Sequence, residues 1–152
     1  MSDDQKMGAS FVHGLLPHRY PMLMVDAMKE VEPGRRGLGV KNVTSNEHYL
    51  QGHFPGEPIM PGVMAIECMA QVAGIVLASG ASLAGGGATA APKPAYLMSV
   101  DSFKFRKPIR PGDTLLVDVR VVRQFQNLAK VAGEIRVGDT LVASGELSLA
   151  GQ

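Results

Sequence analysis

The C-terminal third of the chain alternates between apolar and polar positions with a period of two. Leu115, Val117, Val119 and Val121 share one side of a run whose other side carries Thr114, Asp118 and Arg120. Val131, Ile135 and Val137 alternate with Lys130, Glu134 and Arg136. Leu141, Ala143, Leu147 and Leu149 alternate with Ser144, Glu146 and Ser148. Successive side chains of a strand point to opposite faces, so these runs predict half-buried antiparallel strands. Gly138-Asp139 predicts a two-residue hairpin between two of them. Residues 96–105 form one more strand. The apolar-rich run 22–31, ending at the Pro33-Gly34 turn signal, and the run 38–43 add others.

One segment breaks the period. Val63, Met64, Ile66, Met69, Ala70, Val72, Ala73, Ile75, Val76 and Leu77 make a helix that is apolar almost all round and therefore buried on most sides. Pro61 suits its first helical position, and the helix is expected to stop at Gly80. A short helix over residues 10–16 precedes Pro17. Residues 80–91 (GASLAGGGATAA) read as a flexible connection, a plain linker rather than a lid. Residues 1–10 are a polar tail, and 11–150 a single domain. Five or six antiparallel strands and one long apolar helix predict an α+β fold, a strongly curved sheet wrapped around the helix.

Composition narrows the function. A chain of 152 residues suits one domain, and 45% hydrophobic with 19% charged residues excludes intrinsic disorder. A formal charge of +1 and a 5% aromatic content argue against a nucleic-acid partner. The single cysteine, Cys68, excludes an internal disulfide and reads as a small buried hydrophobe. The acidic start MSDDQKMGAS is unlike a secretory signal. Residues 64–84 are apolar enough to suggest a membrane span. Glu67 and Gln71 near the middle, and the lack of close Lys or Arg flanks, favour a buried helix of a soluble cytoplasmic protein. His13, His18, His48 and His53 form no i,i+4 pair, so no metal site is expected. The glycines at 85–87 lack the Lys-Ser/Thr sequel of a phosphate loop.

The chemistry gathers in residues 51–71, QGHFPGEPIMPGVMAIECMAQ. His53 lies in a loop, residues 52–62, that holds three prolines and three glycines. Gly62 and Val63 open the helix, where free backbone N–H groups and the positive dipole end can hold a developing oxyanion. Glu67 stands on the apolar helix one turn after Val63, and Gln71 follows at the spacing that lets it hydrogen-bond and orient the carboxyl. Burial disfavours a charged carboxylate, so Glu67 suits a proton donor, and an imidazole suits a proton acceptor. Acid, base and oxyanion site together fit proton abstraction beside a carbonyl with loss of a hydroxyl. Each residue alone has a plainer explanation. His53 could decorate a surface loop, Glu67 could belong to a buried ion pair, and Gly62 could be there for steric reasons.

LLPHRYPMLMVD (Leu15–Asp26), GHFPGEPIMPGV (Gly52–Val63), ECMAQ (Glu67–Gln71) and FRKPIRPGD (Phe105–Asp113) closely resemble the (3R)-hydroxyacyl-acyl-carrier-protein dehydratases of type II fatty acid synthesis, the FabZ type. The resemblance runs in order over residues 10–149. It implies the hot dog fold, catalytic roles for His53 and Glu67, and a Gly62 amide that binds the thioester carbonyl. It implies further that Tyr96 gates the acyl tunnel. The related dehydratase/isomerases usually have Asp at the position of Glu67, which disfavours isomerase activity. No cofactor is implied. The implied partners are an acyl carrier protein bearing a hydroxyacyl-phosphopantetheine and further copies of this chain. Those copies form a homodimer that shares His53 and Glu67 across its interface, and then a hexamer as a trimer of dimers.

Lys104, Arg106, Lys107 and Arg110 place four basic residues within seven, a patch suited to docking an acidic carrier protein. The plainer explanation is an edge strand blunted by charge. Two other functions remain open at this point. A hot dog acyl thioesterase would use a carboxylate to activate water or attack the thioester. A non-catalytic acyl-binding module needs the tunnel but not both polar groups.

Overall fold

The computed structural model describes residues 7–83 and 91–151. A short helix α1 (Ala9–Leu15) leads to strands β1 (Ala27–Glu32) and β2 (Arg36–Asn42). A 3₁₀ turn (His48–Gln51) and an irregular loop precede the long helix α2 (Gly62–Leu83). Four long strands follow: β3 (Ala95–Phe105), β4 (Thr114–Phe125), β5 (Leu128–Val137) and β6 (Thr140–Gly151). All six strands form one antiparallel sheet in the order β1-β2-β4-β5-β6-β3, so β1 and β3 are its edges.

The period-two runs are these strands. Leu115, Val117, Val119, Val131, Ile135 and Leu147 are all fully buried on the face that meets α2. Gly138, at φ +55°, makes the hairpin between β5 and β6. Helix α2 contributes Ala65, Cys68, Met69, Val72, Ala73, Ile75 and Val76 to the same core. It lies very close to the sheet. A Cβ on Gly39 would stand 2.4 Å from Val72 Cγ2, and one on Gly37 2.6 Å from Val76 Cγ2. Glycines on β2 therefore make the bed into which the helix valines fit.

Two expectations about α2 need correction. Pro61 is not the first helical residue but the one before it: its carbonyl accepts from the N–H groups of Met64 and Ala65 at 2.9 and 3.3 Å. Nor does Gly80 end the helix, which continues to Leu83. Gly80 is needed for an approach instead. A Cβ there would lie 2.7 Å from the Cα of Gly34, in the β1–β2 turn, whose N–H donates to Val76 O at 2.8 Å. Most of the expected linker, residues 84–90, lies outside the described residues.

Gly62–Ser82 is long and apolar enough to cross a membrane by composition alone. It is the core helix of this fold, packed on β2 and β4.

Candidate active site

Glu67 stands on the face of α2 that lines a cavity of about 640 Å³. Ala70, Gly74, Leu77, Ala78 and Ala81 continue that face along the helix. From Glu67 to Ser82 it spans about 22 Å at the 1.5 Å rise of an α-helix. Leu97, Ala129 and Leu149 close the sheet side, and Leu15, Leu16 and Pro17 the other. The middle of the cavity is thus apolar, and the polar groups at the Glu67 end are His18, Glu67 and Gln71.

The carboxyl of Glu67 is half-buried, hydrogen-bonded by one neighbour and approached by a second. Gln71 Nε2 donates to its Oε1 at 2.7 Å, and His18 Nε2 approaches the same oxygen to 3.4 Å. Gln71 is itself buried, accepting from Met24 N–H at 2.8 Å and donating to Met22 O at 2.7 Å. The amide therefore ties the helix to the segment entering β1. His18 was not singled out from the sequence. It lies 49 residues from Glu67, and no local spacing signals such a pair.

His53 sits in a loop that folds back on itself. Its Nδ1 donates to Ile59 O at 2.8 Å, and Ile59 N–H donates to His53 O at 3.0 Å. Phe54 and Glu57 exchange two backbone bonds at 3.0 Å around Gly56, whose φ is +81°. With Nδ1 carrying the proton, Nε2 is the bare nitrogen of the neutral ring, free to accept one. The ring stacks on Phe54 at 4.0 Å between centroids and is half-buried. Yet His53 is not among the residues that line the Glu67 cavity. Within one chain the two groups stand apart.

Gly62 and Val63 occupy the first turn of α2, where N–H groups have no intrahelical partner. Gly62 also has a steric reason to be glycine, because a Cβ would lie 2.8 Å from Phe105 Cζ. Tyr96 does not line the cavity of its own chain, although its neighbours Ala95 and Leu97 do. Alternation along β3 turns it to the other face, where it is 53% exposed.

Lys104, Arg106, Lys107 and Arg110 are all exposed. Arg106 donates to Ser144 Oγ at 2.8 Å, and Arg110 pairs with Glu57 at 3.1 Å. Met60 N–H also reaches Ile109 O at 2.9 Å, so the basic segment braces the His53 loop. Burial pushes the Cys68 thiol up to about 12, against a weaker downward pull from Lys41, so it is a poor nucleophile. Among the described residues, no three His, Cys, Asp or Glu side chains gather as metal ligands.

The FabA-like domain family matches residues 16–146, which takes in the cavity end with Glu67 and the His53 loop. The chain belongs to that family. A 3-hydroxyacyl-[acyl-carrier-protein] dehydratase FabZ of Geotalea uraniireducens is 49% identical over 133 residues, covering 88% of each chain. The protein of the same name from Natranaerobius thermophilus is 47% identical over 136 residues, 90% of this chain and 91% of that one. The fold of this FabA-like chain is the hot dog fold. A chain of the dehydratase heterocomplex ApeI:P from Xenorhabdus doucetiae superposes with a TM-score of 0.77 at 20% identity, over 93% of this chain and 90% of that one.

Proposed function

We infer that this protein is a hydro-lyase of fatty acid biosynthesis that converts (3R)-3-hydroxyacyl-acyl carrier protein to trans-2-enoyl-acyl carrier protein. Kinship with FabZ dehydratases at 49% and 47% identity supports the reaction. The observation that carries it to this site is Glu67, held by Gln71 at one end of a cavity whose middle is lined by Ala70, Gly74, Leu77, Leu97, Ala129 and Leu149. Such a cavity suits an acyl chain, with the reacting β-carbon beside the carboxyl.

In this mechanism His53 Nε2 removes the α-proton, which the thioester already makes acidic. The N–H of Gly62, aided by that of Val63, meets the charge that develops on the thioester oxygen. Glu67 gives its proton to the β-hydroxyl as the C–O bond breaks, and water leaves. The proton taken by His53 returns to Glu67 through solvent, so one water is released and nothing else is consumed. A thioesterase would need a water aimed at the thioester carbon. The His53, Gly62 and Glu67 set instead serves the α-carbon, the thioester oxygen and the β-hydroxyl.

The two catalytic groups meet across a homodimer in this reading. Strand β3 is a sheet edge that exposes Leu97, Met98, Val100 and Phe105 at 42%, 62%, 41% and 52%. A long apolar edge invites pairing with a second copy of itself. Such a pairing brings His53 of one protomer to the Glu67 cavity of the other, and Tyr96 to the gate of the partner's tunnel. Three dimers then make the hexamer, and the protein works in the cytoplasm beside its carrier protein.

The test is the absorbance of the conjugated enoyl thioester on incubation with hydroxyacyl carrier protein. Wild-type protein is expected to generate it. Glu67→Gln is expected to fold and to lose about 10²–10⁴-fold in turnover. Release of free thiol in place of enoyl product would establish the thioesterase instead.

A further inference from the structure

Both contacts to the Glu67 carboxyl converge on one oxygen. Gln71 Nε2 lies 2.7 Å from Oε1 and His18 Nε2 lies 3.4 Å from it, while no described residue holds Oε2. His18 is fixed from behind. The guanidinium of Arg19 donates to three carbonyls of the same segment: Leu16 at 2.7 Å, His18 at 2.6 Å and His13 at 3.1 Å. Pro17 precedes the pair and Pro21 follows it, so the backbone that presents the imidazole has little freedom.

The imidazole is polarised by its surroundings. Its Nδ1 is buried and meets no hydrogen-bond partner, while Nε2 faces the carboxyl. A proton on Nδ1 would be a buried donor with nothing to receive it. The neutral ring therefore carries its proton on Nε2, the nitrogen that lies 3.4 Å from Oε1. A neutral donor suits an acid. It can orient a carboxyl without the fixed positive charge that would favour the carboxylate.

We propose that His18 is a positioning residue that, with Gln71, holds Oε1 of Glu67 and so reserves Oε2 as the oxygen that carries and delivers the proton. The proposal rests on the dehydratase reading above. At 3.4 Å the His18 contact is longer than a formed hydrogen bond, and the role proposed for it is to shorten as charge develops on Oε1 in the transition state. As the hydroxyl departs with the Oε2 proton, charge spreads onto Oε1. There the N–H groups of His18 and Gln71 receive it.

The test uses His18→Ala, His18→Gln, Glu67→Gln and the double variant His18→Ala/Glu67→Gln in the full-length protein, with circular dichroism and urea midpoints checking the fold. His18→Ala is expected to lower kcat by about five- to tenfold, the worth of one hydrogen bond strengthened in the transition state, with KM nearly unchanged. His18→Gln, whose amide is also a neutral donor, is expected to recover most of that loss. In the Glu67→Gln background the His18→Ala step should cost nothing further. An additive loss in the double variant, or a failure of His18→Gln to rescue a folded protein, overturns the proposal. A second readout is independent of turnover: the ¹³C resonance of the Glu67 carboxyl should move in His18→Ala. Full activity of Glu67→Gln would sink the assignment of the acid itself. An unmoved carboxyl resonance would sink the role of His18 whatever the fate of that assignment.

Discussion

Glu67 and Gln71 lie one turn apart on α2, joined by a 2.7 Å hydrogen bond, and Gln71 links that carboxyl to a distant part of the chain. The same buried amide bonds Met22 O and Met24 N–H, far away in the chain. The orientation of the Glu67 carboxyl is thus tied to how the helix meets the segment entering β1. Gln71→Leu keeps the volume and removes all three bonds. It leaves the buried Met24 N–H unpaired, at a cost of about 1–3 kcal/mol. The urea midpoint is expected to fall accordingly, and turnover to fall in buffer where the variant is still folded. Wild-type stability in Gln71→Leu would show that the amide ties nothing together.

Gly80 offers a test by sign. In the interior of a helix Gly→Ala ordinarily stabilises, by roughly 0.5–1 kcal/mol. At Gly80 the new Cβ would meet Gly34 Cα at 2.7 Å and Gly34 N at 2.8 Å, both backbone atoms that cannot turn aside. Gly80→Ala is therefore expected to destabilise. A raised melting temperature would mean that the turn yields freely and that the close approach is not required.

A site shared between two protomers, as proposed, predicts complementation. His53→Ala and Glu67→Ala should each be nearly inactive alone. A mixed dimer combines intact His53 from the Glu67→Ala chain with intact Glu67 from the His53→Ala chain, restoring one of two sites. Co-expression of differently tagged copies, purified through both tags, is expected to recover activity that neither variant shows. Dead mixed dimers would return both groups to one chain.

Carrier-protein docking predicts a substrate-dependent loss. Reversing Arg106 or Lys107 to Glu should weaken use of carrier-protein substrate, more at low salt, and spare a short pantetheine thioester. Arg110 should behave differently, because its guanidinium already pairs with Glu57 in the His53 loop. Its reversal is expected to lower turnover on both substrates. Equal losses at Arg106 and Lys107 on both substrates would point to the fold rather than to docking.

The strands, the buried helix and the loop-helix junction with His53 and Glu67 were legible in the sequence because they depend on local periodicity and on nearby residues. Alternation showed which side of β4, β5 and β6 meets the core, and the apolar run with its one carboxyl marked the group that the proposed mechanism uses as its acid. Other features depended on partners distant in the chain. Gly80 looked like a helix stop, but its missing side chain serves an approach to Gly34, 46 residues earlier. His18 showed no signal, because only the fold of residues 15–21 against α2 brings it to Glu67. The separation of His53 from the cavity of its own chain was not legible in local pattern either; only the family resemblance, which implied a site shared between two chains, pointed to it. Local pattern determines which face of an element is buried; which residues meet across that face is decided by packing, where a single Cβ admits or forbids a contact.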